Sequence, residues 1–378
     1  MTRRERLMNT LNGLPVDRPP VCFYELNGLD EDPSDPDPFN IYSHPSWLPL
    51  IELTRGCTDR IPRRYPTFLN KEPDPLEELT QHVHEMQNGS RISTMTIRAG
   101  DRILTSRSRR DPDINTSWTT EHLLKDVDDL RAYLELPLPM ISGTPDVDTV
   151  LRAEAELGDT GIVMIDTSDP LCCAAALFNM EDYTVIALTE PELFHRLLQR
   201  FASVIHGQTE LIAEVLPGRL WRIFGPEYAS PPYLPPRLFE EYVVRYVTPM
   251  VEAIQEHGGF ARIHSHGNLK AILDMIASTG CTALDPIEPP PQGDVSVAYV
   301  REHVGEQMTL FGNIEVSDIE NLETAAFREK VRTALREGTE GKGRGFVLMP
   351  SACPYGRILP EQTLRNYEVM VEEVERWN

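Results

Sequence analysis

Short apolar runs and longer amphipathic runs take turns through most of this chain, and that order leaves few folds open. RLWRIFG (219–225), FARIHSH (260–266), TALDPI (282–287), MTLFGNI (308–314) and GFVLMP (345–350) are apolar without alternation, as strands buried on both faces are. VCFYEL (21–26) and GIVMID (161–166) are of the same kind. Between them, PELFHRLLQRFASVIHGQTELIAEVL (191–216) opens with Pro191 at a first helical turn and repeats apolar residues every three or four positions. PPRLFEEYVVRYVTPMVEAIQEHGG (235–259) does the same and stops on Gly258–Gly259. LKAILDMIASTG (269–280) and TAAFREKVRTALREG (324–338) follow the pattern. Strand and helix in alternation predict parallel crossover units, and at this length a single (β/α)8 TIM barrel spanning 1–378. Seven strands are clear, and the eighth is expected near LELPLPMI (134–141).

The first half carries what the barrel does not use. The N-terminal stretch MTRRERLMNTLNG is a charged amphipathic extension with no apolar signal core. LDEDPSDPDPFNIYSHP (29–45) is rich in Pro and Asp and reads as loop. RISTMTIRAGDRILTSRSRR (91–110) alternates around Ala99–Gly100–Asp101 and reads as an antiparallel hairpin. Residues 29–110 are therefore expected to hold loop and β-hairpin insertions, a candidate homodimer surface or lid. The net charge of −23 disfavours nucleic acid and anionic membrane as partners, because both need a basic face. No apolar run approaches the length of a membrane span. The six cysteines include no C-x-x-C pair and do not form a secreted disulfide framework, so the expected location is the cytoplasm.

In a parallel barrel, chemistry gathers at the carboxyl ends of the strands. The first strand ends on Tyr24-Glu25-Leu26-Asn27, and the run 219–225 is followed by Glu227 and Tyr228. After FARI come His264, Ser265 and His266; after TALDPI, Glu288; after MTLF, Gly312 and Asn313; after GFVLMP, Ser351-Ala352-Cys353 and then Tyr355. Residues two apart on a strand share a face, so His264 and His266 can face the mouth together with Ser265 turned away. With the thiolate of Cys353 they make three ligands and leave a fourth position open, which is how catalytic zinc is held. The alternative is a buried histidine pair bonded to its surroundings, with Cys353 an inert small hydrophobe.

On these stretches the sequence resembles the uroporphyrinogen decarboxylase superfamily. RRERLMNTLNGLPVDRPPV looks like its opening helix and first strand, and DTSDPLCCAAALFNMEDY (166–183) its third-strand segment. HSHGNLKAILDMIASTGCTALDPIEPPPQGD, LFGNI and GFVLMPSACP are similar to its second half. The resemblance implies the same single (β/α)8 barrel. It also brings two chemistries. The true decarboxylases hold an acidic tetrapyrrole with arginines shortly after the first strand, where this chain has YELNG (24–28) and no arginine. The other branch contains zinc-dependent methyltransferases that pass methyl groups to or from cobalt corrinoids, with His-x-Cys on the fifth strand and Cys on the last. His264 and Cys353 match, and His266 stands where Cys is found.

One thiolate in place of two leaves the zinc site at +1, a harder Lewis acid suited to an oxygen ligand. The resemblance then implies demethylation of a methoxylated, aromatic compound. The methyl group would pass to the Co(I) corrinoid (cobalamin) of a partner protein, with Glu227 or Tyr228 as proton donor. Glu25, Asn27, Glu288, Asn313 and Tyr355 are the candidate substrate-binding residues. Methylcobamide:thiol methyl transfer and a metal-free decarboxylation are the alternatives. A hydrolase of the amidohydrolase kind ranks lower, since its His-x-His lies on the first strand.

Overall fold

The computed structural model describes residues 1–138 and 141–377. Seven strands pair in parallel in one sheet. Their order is Arg63–Arg64, Met164–Ser168, Leu220–Phe224, Phe260–His264, Ala283–Asp285, Thr309–Ile314 and Gly345–Pro350. The extended segment 20–22 closes it. Cys22 N–H donates to Leu348 O at 3.1 Å and Leu348 N–H to Pro20 O at 2.9 Å, while Val21 O accepts from Asp59 N–H at 2.7 Å on the other side. That contact leads into Arg60, which bridges Gly161 in parallel. The result is the expected (β/α)8 barrel, with 20–22 as its first strand and 60–64 as its second.

The eighth strand was misplaced by sequence. The region 134–141 lies partly outside the described residues, and its described part is the end of helix Val127–Leu134 and a following turn. The strand at 60–64 escapes detection because it is IPRR, short, interrupted by proline and polar at its end. Apolar runs identify strands only where both faces are buried.

Helices Pro191–Val215 and Thr324–Thr339 stand where their periodicity places them. The single helix expected at 235–259 is in three pieces: Pro236–Phe239, a π segment Glu240–Val244, and Arg245–Glu256. Pro249 lies inside the last piece, where it has no N–H for the carbonyl of Arg245. The helix expected at 269–280 forms only over Leu273–Ser278. Among the described residues no helix is long and apolar enough to cross a membrane.

The hairpin expected at 91–110 is the centre of a larger element. Strands Thr80–Gln87, Ser90–Ala99, Arg102–Arg110 and Ser117–Glu121 form a four-stranded antiparallel meander. It is inserted after the second barrel strand, on the side of the strands' carboxyl ends. Ile97, Ala99 and Leu104 pack into the main core with Leu123. Its base is tied to the loop after the eighth strand: Asn115 N–H donates to Tyr355 O at 2.7 Å and Arg357 N–H to Asp113 O at 2.8 Å.

Asp59 fastens the closure. Its fully buried carboxylate accepts from Arg6 Nη1 at 2.6 Å, from Arg18 Nη1 at 3.1 Å and from the backbone N–H of Val21 at 2.9 Å. Replacing Asp59 by Ala leaves the Arg6 Nη1 and the Val21 N–H without an acceptor and Arg18 without its carboxylate, although Arg6 keeps Asp17. We expect Asp59→Ala to cost about 3–5 kcal/mol, the range for breaking one side of a buried ion pair, read as a lower midpoint of urea unfolding. An unchanged midpoint would place the closure elsewhere.

Candidate active site at the barrel mouth

The strand sequences LWRIF and FARIH each put one arginine into an apolar run. Register explains both. Arg222 stands beside Asp166 on one side and Arg262 on the other, and His264 stands beside Asp285. Arg222 and Asp166 form a two-point pair, Nε to Oδ1 at 2.7 Å and Nη2 to Oδ2 at 2.9 Å. Arg262 Nε lies 3.0 Å from Asp285 Oδ1, and its guanidinium sits over an aromatic face, 4.7 Å from the Phe311 ring centre. Arg222, Arg262 and Asp285 are all buried. Burial opposes ionisation of Asp285, yet Arg262, His264 and Arg222 outweigh it and hold its carboxyl down at about 2.

Two imidazoles stand on this layer. His264 Nδ1 is 2.7 Å from Asp285 Oδ2, and His266 Nδ1 is 2.7 Å from Glu288 Oε1. An ionised carboxylate only accepts, so in each neutral ring the proton belongs on Nδ1 and the lone pair on Nε2. The rings are 4.6 Å apart and perpendicular. Ser265 turns away to Ser230 at 3.1 Å, as expected. Strand geometry alone does not explain the pair, since the strand ends at His264. Glu288 completes it by also accepting Gly267 N–H at 2.8 Å. Burial lowers the His266 pKa, but the bond to Glu288 and its charge outweigh that and leave it raised. The same bond overcomes burial at Glu288 and lowers its pKa.

Tyr24 joins the layer to the pair. Its hydroxyl accepts from Arg222 Nη1 at 2.8 Å and lies 3.4 Å from His264 Nε2. Burial pushes its pKa up, so it stays a phenol. The residue holds a left-handed backbone, φ 51°, a strain that non-glycine residues accept where the surroundings fix them.

Beside Tyr24 the mouth opens as a cleft of about 460 Å³ whose walls include Glu25, Asn27, Arg63, Asp166, Tyr42 and Phe224. Its arginines are engaged within the chain: Arg63 with Glu25 at 2.7 Å, Arg64 with Asp30 at 2.7 Å, and Arg222 with Asp166. Cys353 Sγ lies 3.9 Å from Glu25 Oε2. Burial, and then the Glu25 charge, push its thiol up to about 12. The structure therefore brings His264 and His266 together and turns Cys353 toward the first-strand loop. Among the described residues no three or more His, Cys, Asp or Glu side chains are gathered so that they could hold a metal ion.

The remaining candidates divide. Glu227 and Tyr228 lie on the turn Pro226–Ala229 after the fourth strand. Glu227 Oε2 accepts Gly225 N–H at 3.0 Å, and its charge reaches His266. Tyr228 packs edge-on to Tyr183, and burial pushes its hydroxyl up to about 12. Asn27 spends its amide on the loop, taking Leu29 N–H at 2.9 Å and giving to Asp30 at 2.8 Å. Asn313 lines a separate groove with Pro289, Asp318 and Lys330. Tyr355 is 52 % exposed and is not among the cleft's walls.

Sequence reasoning missed Arg222, Asp166, Arg63 and Asp285; for Arg222, Asp166 and Asp285 the charge inside or ending an apolar run was the available signal, and for Arg63 there was none. It also missed Glu315, directly after the seventh strand. Glu315 is 6 % exposed; Oε2 accepts from Ser351 Oγ at 3.1 Å and Oε1 has no partner. Burial, with the nearby Glu288 charge, pushes its carboxyl up to about 7.

The family model "Uroporphyrinogen decarboxylase (URO-D)" matches residues 114–377, more than half of the chain. No curated protein sequence matches. Among solved structures, a methyltransferase from Methanosarcina mazei is 16 % identical, covers 99 % of both chains and superposes with a TM-score of 0.60; at that identity the likeness is one of fold. A D-psicose 3-epimerase from Clostridium cellulolyticum H10 is 10 % identical over 61 % of this chain and 82 % of its own, with a TM-score of 0.36.

A buried carboxyl with a raised pKa carries a definite sign. Between the ordinary Glu value and about 7, folded Glu315 keeps a proton that the unfolded chain has released, so stability falls as pH rises through that window. Glu315→Gln should remove this loss. It should leave unfolding below pH 5 close to wild type and raise the melting temperature above pH 7, as measured by thermal unfolding across pH. Identical profiles would mean that Glu315 ionises normally.

Proposed function

This chain belongs to the uroporphyrinogen decarboxylase (URO-D) family, and from that premise and the chemistry of its mouth we propose that it is a methyltransferase. It would take the methyl group of a methoxylated, aromatic small molecule and pass it to the corrinoid of a separate protein. The observation that carries the reading is the pair His264 and His266, each fixed at Nδ1 by a carboxylate. Carboxylate-backed imidazoles are how proteins orient and strengthen metal ligands. Zn²⁺ takes imidazole nitrogen and thiolate together, so His264 and His266 would hold it through Nε2, and Cys353, which here faces Glu25, would have to turn to them to serve as the third donor. Once bound, the ion would polarise an ether oxygen and steady the negative charge left on it.

The chain's own side chains supply the rest. Arg222 fixes the Tyr24 phenol against His264. Glu227 and Tyr228 are the proton donors we assign to the departing oxygen. Tyr42 and Phe224 offer aromatic walls, and Glu25 marks the cleft's floor beside Cys353. A polycarboxylate substrate would need unpaired cations, and the arginines of this cleft already hold in-chain carboxylates. That favours a donor of little charge over a porphyrinogen.

A second reading, metal-free decarboxylation, draws on Cys353. Its sulfur stands by Glu25, and its thiol holds its proton to about pH 12. Metal analysis separates the two. We expect about one zinc per chain in the purified protein, its loss in His264→Ala and in Cys353→Ala with the fold retained by circular dichroism, and affinity about 10- to 100-fold weaker in Glu288→Gln, which loosens His266. Methyl transfer from a methoxybenzene to reduced cobalamin should fall with the metal, and Glu227→Gln should slow it without releasing the ion. Zinc-free protein would select the metal-free reading, and variants that keep stoichiometric zinc would overturn His264 and Cys353 as its ligands.

A further inference from the structure

We infer that the free edge of the meander, strand Thr80–Gln87, is the surface on which a second copy of this chain docks, edge to edge and antiparallel about a two-fold axis. The strand is an outermost one of the four, and every residue of it after Thr80 is exposed. An edge strand presents a row of unpaired N–H and C=O groups, and proteins that stay apart blunt such edges with proline, lysine, a bulge or a cover. Thr80–Gln87 has none of these. Its sequence TQHVHEMQ carries one charge, Glu85, and neither proline nor lysine. Its pairing with Ser90–Ala99, from Thr80↔Ile97 to Gln87↔Ser90, runs without a bulge. Val83 is 45 % and Met86 60 % exposed. The opposite edge is protected. Ser117–Glu121 pairs Arg107↔Glu121 and then Ser108↔Thr119, which makes Thr120 a bulge, and Lys125 holds Glu121 at 3.1 Å.

The turn fixes which backbone groups are free. Asn88 and Gly89 hold φ of 52° and 84°, as the two central residues of a type I′ hairpin turn do, so Gln87 and Ser90 exchange both hydrogen bonds. Bonded and unbonded pairs alternate along an antiparallel ladder. Gln81, Val83 and Glu85 therefore bond to Ser90–Ala99, and the N–H and C=O of Thr80, His82, His84 and Met86 point outward.

The free groups are self-complementary. A two-fold axis perpendicular to the sheet preserves its faces, so odd-numbered residues meet odd and even meet even. With the axis at Val83, each copy's His82 pairs with the other's His84 and its Thr80 with the other's Met86, so outward groups meet outward groups. Val83 then packs on its own counterpart, a favourable β-branched pair, and each Glu85 faces a Gln81 amide that can donate to it. An axis at Glu85 would oppose two carboxylates in a chain of net charge −23, and one at His84 would set Val83 against Glu85. Two strands meeting only at their edges bury less than the about 1,200 Å² of a standard interface, so the dimer is weak and reversible. The inference does not depend on methyl transfer.

The test is sedimentation equilibrium of the full chain at micromolar concentrations, with circular dichroism to check that each variant is folded. We expect a reversible monomer–dimer equilibrium. His84→Pro removes an outward N–H and leaves the ladder to Ser90–Ala99 intact, and it should raise the dissociation constant at least about tenfold. Val83→Lys sets two cations against each other across the axis and should also weaken the dimer. Val83→Cys should give a disulfide-linked dimer on mild oxidation where the wild type gives none, because the Cα atoms of an unbonded antiparallel pair lie about 4.5 Å apart. A wild type that stays monomeric, or His84→Pro that dimerises as well as the wild type, overturns the edge as the docking surface. Tighter dimerisation by Val83→Lys, or no disulfide in Val83→Cys, overturns the register centred on Val83.

Discussion

Everything at the mouth rests on a layer of charge buried inside the barrel. Arg222 with Asp166 and Arg262 with Asp285 stand where apolar side chains would fill an ordinary barrel interior. Taking such ions out of water costs several kcal/mol each, and their attraction returns about that much only when geometry is good. The layer therefore adds little net stability, and apolar residues of equal volume could hold the strands together as well. What they could not do is aim side chains. Arg222 reaches the Tyr24 hydroxyl at 2.8 Å, and Asp285 reaches His264 at 2.7 Å. The pairs are costly as structure and informative as site.

Asp285 works in two directions at once. One oxygen faces Arg262 and the other takes the His264 proton, so the guanidinium that keeps Asp285 ionised also sets the tautomer of the imidazole. Glu288, three residues on, does the same for His266. Between them Ile287 holds φ 59°, a conformation that is an outlier for a β-branched residue. Such strain persists where the surroundings over-determine it. Here it belongs to the short segment that serves two carboxylates to two histidines.

The legible part of this chain was the part with strong periodicity. Apolar runs located seven of the eight strands, and the 3.6-residue repeat located Pro191–Val215 and Thr324–Thr339 almost to the residue. The second strand was illegible because Ile61-Pro62-Arg63-Arg64 buries only its first two residues and turns its arginines to the mouth. The meander was half legible: Gly100 marked its central turn, while Thr80–Gln87 is exposed along nearly its whole length and carries no apolar face to read. At the site, His264, His266, Glu25 and Glu288 were found from their places after strands. Their partners were not, because pairing across 21 or 240 residues is a property of register and leaves no local trace.

Cys353 poses the sharpest energetic question. A thiol that titrates at about 12 costs about 7 kcal/mol to ionise at pH 7, at 1.36 kcal/mol per pH unit. Structural zinc sites in small peptides gain about 10–16 kcal/mol on binding at pH 7, which is of the same order as that cost. Any proton that His266 carries, its pKa being raised by Glu288, must leave as well. Zinc uptake at this mouth would then release a proton from sulfur, and affinity would climb steeply with pH. The Glu25 carboxylate at 3.9 Å raises the thiol pKa while the ion is away, and its pairing with Arg63 limits that effect. Whether Cys353 serves as a ligand is thus governed by a balance between one buried thiol and one cation, and the arginine that holds Glu25 is part of it.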